Sequence, residues 1–170
     1  DQPDQRPADF FTPKGWSTVV RGLVSVGGNA RPASWLALRG TVGVDYIDRT
    51  DESWIRAGDV LNVTPTSDGQ RGQYAANTTT YTVDFGGTVT LPVTNILTSR
   101  TTFGSQYVRG YQRSLAVAAT GLAAGQQSFT GARTFTKHEE AFNHSAILGW
   151  YIEQTGILRD RLFMTAALRQ

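Results

Sequence analysis

The fold is decided by residues 36–46, which read LALRGTVGVDY. Successive side chains of an extended strand point to opposite faces, so this stretch separates into two sets. One face carries Leu36, Leu38, Gly40, Val42, Val44 and Tyr46, and the other carries Ala37, Arg39, Thr41, Gly43 and Asp45. At about 3.3 Å per residue the stretch is roughly 36 Å long. A strand of that length, tilted by about 45°, crosses an apolar band of about 25 Å.

Six stretches of the chain show this alternation, and we expect a strand in each of them. They cover roughly residues 16–27, 35–47, 79–91, 97–109, 142–153 and 161–169. The connections are alternately short (28–34, 92–96 and 154–160) and long (48–78 and 110–141). In an up-and-down meander all the short turns then lie at one end, as they do in the wall of an outer-membrane barrel.

The sequence therefore predicts an all-β fold, an antiparallel up-and-down meander of about six strands. This meander is part of, or derived from, an outer-membrane β-barrel wall, and the alternative is a small β-sandwich or an open sheet. Turn residues Gly27, Gly28 and Asn29, followed by Pro32, are expected to end the first strand, and Pro92 the third. Residues 1–14 contain three prolines and are predicted to be a polar tail or loop. Residues 15–170 are predicted to be one β-meander segment.

The composition excludes several classes of protein. There is no cysteine, so disulfides, thiolate catalysis and Cys-ligated metals are absent. Lysine and arginine are not clustered in the way that a nucleic-acid partner requires. No run of 18 apolar residues could form a transmembrane helix. There is no signal peptide, and the sequence begins at Asp1, so we expect a mature form or a part of a longer chain.

Few residues suggest chemistry. His138, Glu139, Glu140 and His144 lack the spacing of a HExxH zinc site, and we expect them at the polar rim of an outer loop. The carboxylates Asp45, Asp48, Asp51 and Glu52 lack EF-hand spacing and are expected at a solvated loop entrance. The Ala/Gly-rich run Leu115–Gly125 is too short to span a bilayer and is expected to be a loop tip or a helical turn or two. We therefore expect no catalytic, cofactor-binding or metal-binding residue and assign no ligand-binding residue.

Aromatic residues lie near both ends of the predicted strands. Trp16, Tyr46, Tyr81 and Tyr107 lie near the ends that lead into long connections, whereas Trp35, Trp150 and Tyr151 lie nearer the short turns. Aromatic rings concentrate at the two interfaces of a membrane. These residues are predicted to form two girdles, although Trp and Tyr are also common in strands of any kind.

Five segments resemble a known family of receptors. They read PASWLALRG at 32–40, GVDY at 43–46, YTVDFG at 81–86, GWYIEQ at 149–154 and RDRLFMTAALR at 159–169. In this order and spacing they resemble barrel-wall strands of the SusC/RagA-like TonB-dependent outer-membrane receptors, over most of residues 16–169. The resemblance implies a non-catalytic 22-strand barrel with an internal plug. Such receptors import bulky nutrients, among them glycans and peptides, and many pair with a surface lipoprotein.

The resemblance leaves two interpretations open. In the first, the chain is a wall segment of an outer-membrane nutrient-uptake receptor in a Gram-negative-type envelope. In the second, it is a β-rich accessory or scaffolding subunit of a larger cell-envelope complex, derived from such a barrel and located in the outer membrane or the periplasm. In both interpretations the sheet edges are covered by membrane lipid or by a protein partner, such as the remainder of a barrel. Neither interpretation predicts a nucleic-acid partner or a cofactor. A secreted β-sandwich that serves as a binding module is a third interpretation.

Overall fold

The computed structural model describes residues 14–59, 68–159 and 161–170, and most of them lie in six strands. The strands are β1 (Lys14–Ala33), β2 (Leu36–Ile55), β3 (Gln70–Thr94), β4 (Leu97–Leu122), β5 (Ala132–Leu158) and β6 (Leu162–Arg169), with a 3-10 helix at Phe129–Gly131. They form a single open sheet in the order β1-β2-β3-β4-β5-β6. The predicted all-β antiparallel meander is confirmed. Residues 1–13 of the predicted tail lie outside the described residues.

The strands extend well beyond the apolar alternation. The residues that connect β2 to β3 and β4 to β5 are only 56–69 and 123–131, so the predicted long connections 48–78 and 110–141 were wrong in extent. At the end of β2 and at the start of β3 both faces carry mostly polar side chains. A strand continues there because backbone hydrogen bonds to its neighbours satisfy its N–H and C=O groups. Such an extension leaves no period-2 hydrophobic signal in the sequence.

The run Leu115–Gly125 is also different from its prediction. It is strand as far as Leu122, and only its last residues belong to the connection, so the predicted loop tip or helical turn was wrong. Ala119 and Leu122 are buried there, and the neighbouring Thr120 is buried as well. Because apolar residues occupy both faces of this part of β4, the pattern does not alternate and resembles neither a strand nor a loop.

The short turns lie where they were predicted, but they are tighter. Ser34 and Trp35 alone connect β1 to β2, so the residues from Gly27 to Pro32 are strand and not turn. Pro32 is tolerated because β1 is an edge strand, where a missing N–H leaves no partner unsatisfied.

The third strand likewise does not end at Pro92 but continues to Thr94. The N–H of Thr90 donates to the carbonyl of Trp35, just before β2 begins. The backbone nitrogen of residue 92 is on the same edge of β3 as that of Thr90, the edge next to β2. Residue 92 lies beyond the start of β2, so the proline removes no hydrogen bond between these strands. The Thr94 hydroxyl then accepts a hydrogen bond from the N–H of Ile96 and closes the turn.

The chain forms two compact units, and each of β1–β5 contributes to both. Of the described residues, the first unit comprises 14–21, 47–59, 68–78 and 112–143, and the second comprises 22–46, 79–111, 144–159 and 161–170. The first unit contains the connections 56–69 and 123–131, whereas the second contains the three short turns and β6.

A small core forms in the first unit around Gly69. This glycine is buried and has a φ of 80°, a conformation that side chains with a Cβ rarely adopt. A Cβ added at Gly69 would lie 3.2 Å from the Cβ of Leu122 and 3.1 Å from the backbone nitrogen of Ala57. Its carbonyl accepts a hydrogen bond from the N–H of Gly121. Gly69 thus allows the connection after β2 to contact the end of β4.

In the second unit β5 pairs with β6 in a regular antiparallel register. Tyr151 lies opposite Arg169, and Leu158 lies opposite Leu162. Thr155 and Thr165 face each other with their hydroxyl oxygens 3.0 Å apart. This register places Leu162, Met164, Ala166 and Leu168 on the same face as the even-numbered residues of β5.

Candidate binding surface

Contacts between neighbouring strands assign residues of the second unit to two faces. On one face, a Cβ at Gly87 would contact the side chains of Leu38 and Phe103, and the rings of Phe85 and Phe103 lie 6.5 Å apart. This face, here called the apolar face, includes Leu36, Leu38, Val42, Val44, Val83, Phe85, Val89, Phe103, Leu148, Trp150 and Ile152. The contacts of Leu38 and Phe85 confirm the predicted apolar face for these two residues.

The opposite face of the second unit, here called the polar face, is assigned by different contacts. The hydroxyl oxygens of Thr88 and Thr102 lie 3.4 Å apart, and a Cβ at Gly27 would contact the Thr41 hydroxyl. This face includes Arg39, Thr41, Asp45, Thr82, Asp84, Arg100, Gln106, Tyr151, Glu153 and Arg169. Arg39, Asp45 and Asp84 belong to it, as the alternation predicted.

The large side chains of the apolar face are uncovered. Val42 is 55% exposed, Phe85 is 49% exposed and Leu148 is 68% exposed. Adjoining large apolar side chains that stay exposed on a folded protein mark contact with lipid or with another protein.

Tyr151 forms the most closely fitted contact of the polar face. Its hydroxyl accepts a hydrogen bond of 2.9 Å from Nη2 of Arg39. A Cβ at Gly104 would lie 2.6 Å from the Tyr151 ring, and one at Gly86 would lie 3.5 Å from its hydroxyl. The two glycines therefore create the space in which a side chain of β5 reaches across β4 and β3 to β2.

This position corrects the predicted role of Tyr151 as a girdle residue. The odd numbering of Tyr151 in β5 already separated it from the apolar residues. No other pattern in the sequence indicates this position, because the glycines that receive its ring lie in two other strands. The contact between Tyr151 and the two glycines can be recognised only when the register of the strands is known.

A recess with a volume of about 700 Å³ surrounds Tyr151. The side chains of the polar face that line it are those of Arg39, Thr41, Asp84, Gln106, Tyr151, Glu153 and Arg169. It therefore presents two cationic and two anionic groups together with neutral hydrogen-bonding groups. A lining of both signs suits a ligand that carries both signs, whereas a ligand of one charge alone would be repelled by half of it.

The other predicted girdle residues fall into different environments. Tyr81 is 44% exposed and Trp150 is 41% exposed, both on the apolar face. Trp35 lies in the turn between β1 and β2 and is 47% exposed, while Trp16 in the first unit is also exposed. Tyr46 and Tyr107 occupy apolar-face positions in β2 and β4. The girdle itself stays a prediction for these residues.

In the first unit Arg71 connects β3 to two other segments. It forms an ion pair of 3.1 Å with Glu52, in which both side chains are about one-fifth exposed, and donates a hydrogen bond to the carbonyl of Gln127. Its guanidinium also lies 4.9 Å from the centre of the Phe129 ring. Arg71 thus holds the connection before β5 against β2, because one guanidinium can serve several acceptors at fixed angles.

The carboxylates and histidines singled out in the sequence have protein partners or lie apart. Asp51 accepts a hydrogen bond from the Ser17 hydroxyl and forms an ion pair with Arg49, and these two contacts, the hydrogen bond from Ser17 first, lower the pKa of Asp51. Glu140 is paired with Arg113, and Glu139 with Lys137. Residues 138–144 lie within β5, so the expected outer-loop rim was wrong. Residues 45–52 lie within β2, so the expected loop entrance for Asp45, Asp48, Asp51 and Glu52 was wrong as well.

Among residues 14–59, 68–159 and 161–170, no three His, Asp or Glu side chains are grouped as ligands of a metal ion would be. Over the same residues no helix has the length and apolarity needed to cross a membrane.

Comparison with known proteins identifies the fold. No protein-family model matches the chain, and no curated protein matches it. A solved structure of the RagAB peptide transporter matches with a TM-score of 0.81 and 13% sequence identity. A structure of the RagAB peptide importer in its open-open state matches with a TM-score of 0.82 and 14% sequence identity. The closed-closed state of that importer matches at 0.74 and 13%.

These matches cover 94–96% of this chain but only 18% of the matched chains. The chain therefore spans less than one-fifth of the length of the chains that it matches. The resemblance noted in its strands is confirmed at the level of architecture. The chain therefore has the fold of a segment of the RagAB peptide transporter, as its similarity to the SusC/RagA-like receptors implied.

Proposed function

We propose that this chain is a wall segment of an outer-membrane barrel that takes up peptides by a TonB-dependent mechanism. The observation that carries the proposal is the uncovered apolar face, together with a polar face on the other side of the same strands. A barrel in a membrane needs this division, with lipid against one face and an aqueous interior against the other. In a soluble protein the apolar rows would have to be covered by a second layer.

The sheet edges support the same proposal. β1 is exposed along nearly its whole length, and β6 is exposed along all of it. Both carry large apolar side chains on each face, among them Val19 and Val20 in β1 and Phe163 and Met164 in β6. Unpaired N–H and C=O groups beside apolar surface require a further strand, which the rest of a barrel wall supplies.

The recess around Tyr151 supports a peptide as the transported substrate. A peptide carries an ammonium group, a carboxylate and a row of amides. Arg39 and Arg169 would receive the carboxylate, whereas Asp84 and Glu153 would receive the ammonium group, and Gln106 suits an amide. The matched structures are of a peptide transporter, which gives the same substrate class.

The proposal is tested with the native polypeptide in its own cell envelope. We expect it to remain in the membrane after carbonate extraction and to migrate faster on a gel before heating than after it, as a closed barrel does. We also expect a mass several-fold above 18.5 kDa. A carbonate-soluble polypeptide near that mass would contradict the barrel and favour an accessory or scaffolding subunit of a cell-envelope complex.

Transport is tested by deleting the coding segment in frame and measuring uptake of labelled oligopeptides. We expect peptide uptake to fall while uptake of free amino acids is unchanged, and an uncoupler of the proton gradient to abolish the same component. Unchanged peptide uptake in the deletion strain would contradict the assigned substrate, even if the polypeptide is a barrel.

A further inference from the structure

Three rings form a continuous contact where the apolar rows of the second unit end. Tyr81 of β3 meets Tyr111 of β4 edge-on, with ring centres 6.2 Å apart. Tyr111 meets His144 of β5 in the same manner, with ring centres 5.1 Å apart. All three rings occupy apolar-face positions of their strands. The band therefore lies across three neighbouring strands at one level, as an interfacial belt does.

Arg109 adds a positive charge to this band. Its guanidinium carbon lies 5.0 Å from the centre of the Tyr111 ring, and its side chain is exposed. Its position in β4 places it on the same face as Tyr111. Within the described ranges no carboxylate lies in ion-pair distance of Arg109, whereas Arg49, Arg71 and Arg113 each have one. The exposed guanidinium of Arg109 is thus accessible to an anionic group.

The chemistry of the band defines the group that it fits. A guanidinium donates two parallel hydrogen bonds to a phosphate, the Tyr81 and Tyr111 hydroxyls can donate further ones, and the imidazole of His144 adds a donor. The Arg109 side chain is long enough to lie along the rings while its charged end reaches the headgroup level. A carboxylate of a soluble protein would pair with the Arg109 guanidinium equally well, but such a partner would not explain the apolar rows next to it.

We propose that Arg109, Tyr81, Tyr111 and His144 bind the phosphate of an anionic lipid headgroup at the membrane interface. This proposal rests on the proposed function, because it requires the apolar face to contact lipid. It adds a specific lipid contact on the outer surface of the wall, on the face opposite to the recess around Tyr151.

The test compares lipid retention by the native polypeptide and by single variants. Each protein is reconstituted in vesicles of equal parts phosphatidylglycerol and phosphatidylcholine, extracted in mild detergent and analysed by native mass spectrometry. We expect the wild-type protein to retain phosphatidylglycerol preferentially and Arg109→Gln to lower that preference about fivefold, the factor for one cationic side chain at an anionic surface. Arg109→Lys should keep most of it.

Arg100→Gln is the matched control, since Arg100 is an exposed arginine of the same strand on the polar face. We expect it to retain lipid as the wild-type protein does. An Arg109→Gln variant with unchanged preference, or an Arg100→Gln variant with an equal loss, would overturn the lipid site. Heat-modified migration of each variant establishes that it has folded. A wild-type protein that does not enter vesicles at all would instead overturn the proposed function.

Discussion

The two units hold the same strands together by different means. In the first, the side chains of Trp54, Ala119 and Leu122 are buried, and a partly buried ion pair ties a connection to the sheet. In the second, Ile157 is buried but the large apolar side chains of β2 and β3 are exposed. On its polar face the Tyr151 ring fits closely over Gly104.

This difference shows where each unit obtains its stability. The first unit is stabilised by burial and ion pairs, as part of a water-soluble protein would be. The second is stabilised by its backbone ladder and by contacts between neighbouring strands, while large side chains of its apolar face stay exposed. Substitutions in the two units should therefore respond differently to lipid.

The largest effect is expected for a charge placed on the apolar face. Val42→Arg should lower the free energy of unfolding in a bilayer by about 2–4 kcal/mol, because an arginine at mid-bilayer loses its hydration. Thr41→Arg, on the polar face of the same strand, is the matched control and should have little effect. Urea unfolding of the native polypeptide in vesicles measures both. Equal losses in the two variants would mean that the apolar face does not contact lipid.

A smaller effect is expected from Arg71 in the first unit. Arg71→Gln removes the ion pair with Glu52 and the contact with Gln127, and should cost about 1.5–3 kcal/mol, as lost hydrogen bonds to charged groups do. Lys137→Gln is its control, since the exposed pair with Glu139 should contribute about 0–1 kcal/mol. Hydrogen exchange of residues 123–131 should rise in the first variant alone. If the exchange does not change, Arg71 does not hold this connection.

Gly104→Ala tests the fit of Tyr151 in the second unit. The added Cβ would overlap the ring, so we expect a loss of about 1–3 kcal/mol, as in overpacked cores. Gly156→Ala is the control, because nothing lies within 4 Å of a Cβ there. Tyr151→Leu combined with Gly104→Ala should recover part of the loss in a double-mutant cycle. Strictly additive losses would contradict the contact.

The smallest effect concerns the titration of Asp51 in the first unit. Ser17→Ala removes the hydrogen bond that most lowers the pKa of Asp51, so this pKa should rise towards its ordinary value. A lowered pKa stabilises the fold above the unfolded-state value, and this contribution is lost as the pH falls through the folded-state value. Carboxyl NMR titration measures the shift, and Ser25→Ala should leave it unchanged. An unaltered Asp51 pKa in Ser17→Ala would exclude the serine as its cause.

The sequence was sufficient to predict the strand segments of the second unit, but it was not sufficient to predict those of the first. Alternation in residues 36–46 identified β2 because one face had to be apolar. The extension to Ile55 is polar on both faces, so its strand conformation depends on neighbouring strands and not on its own pattern. The recess around Tyr151 could not be predicted, because Gly86 and Gly104 become its neighbours only through the register.

The order of the strands has a consequence for how the chain folds. Among the described strands every pairing joins neighbours in sequence, so no strand pairing waits for a distant segment. Each doubling of a connecting loop adds about 0.6 kcal/mol to the entropy cost of closing it. The hairpins closed at Ser34 and Trp35, at Asn95 and Ile96, and after Leu158 should therefore form before the pairings that span 56–69 and 123–131. The meander should then assemble from three hairpins, which form first at their tight turns.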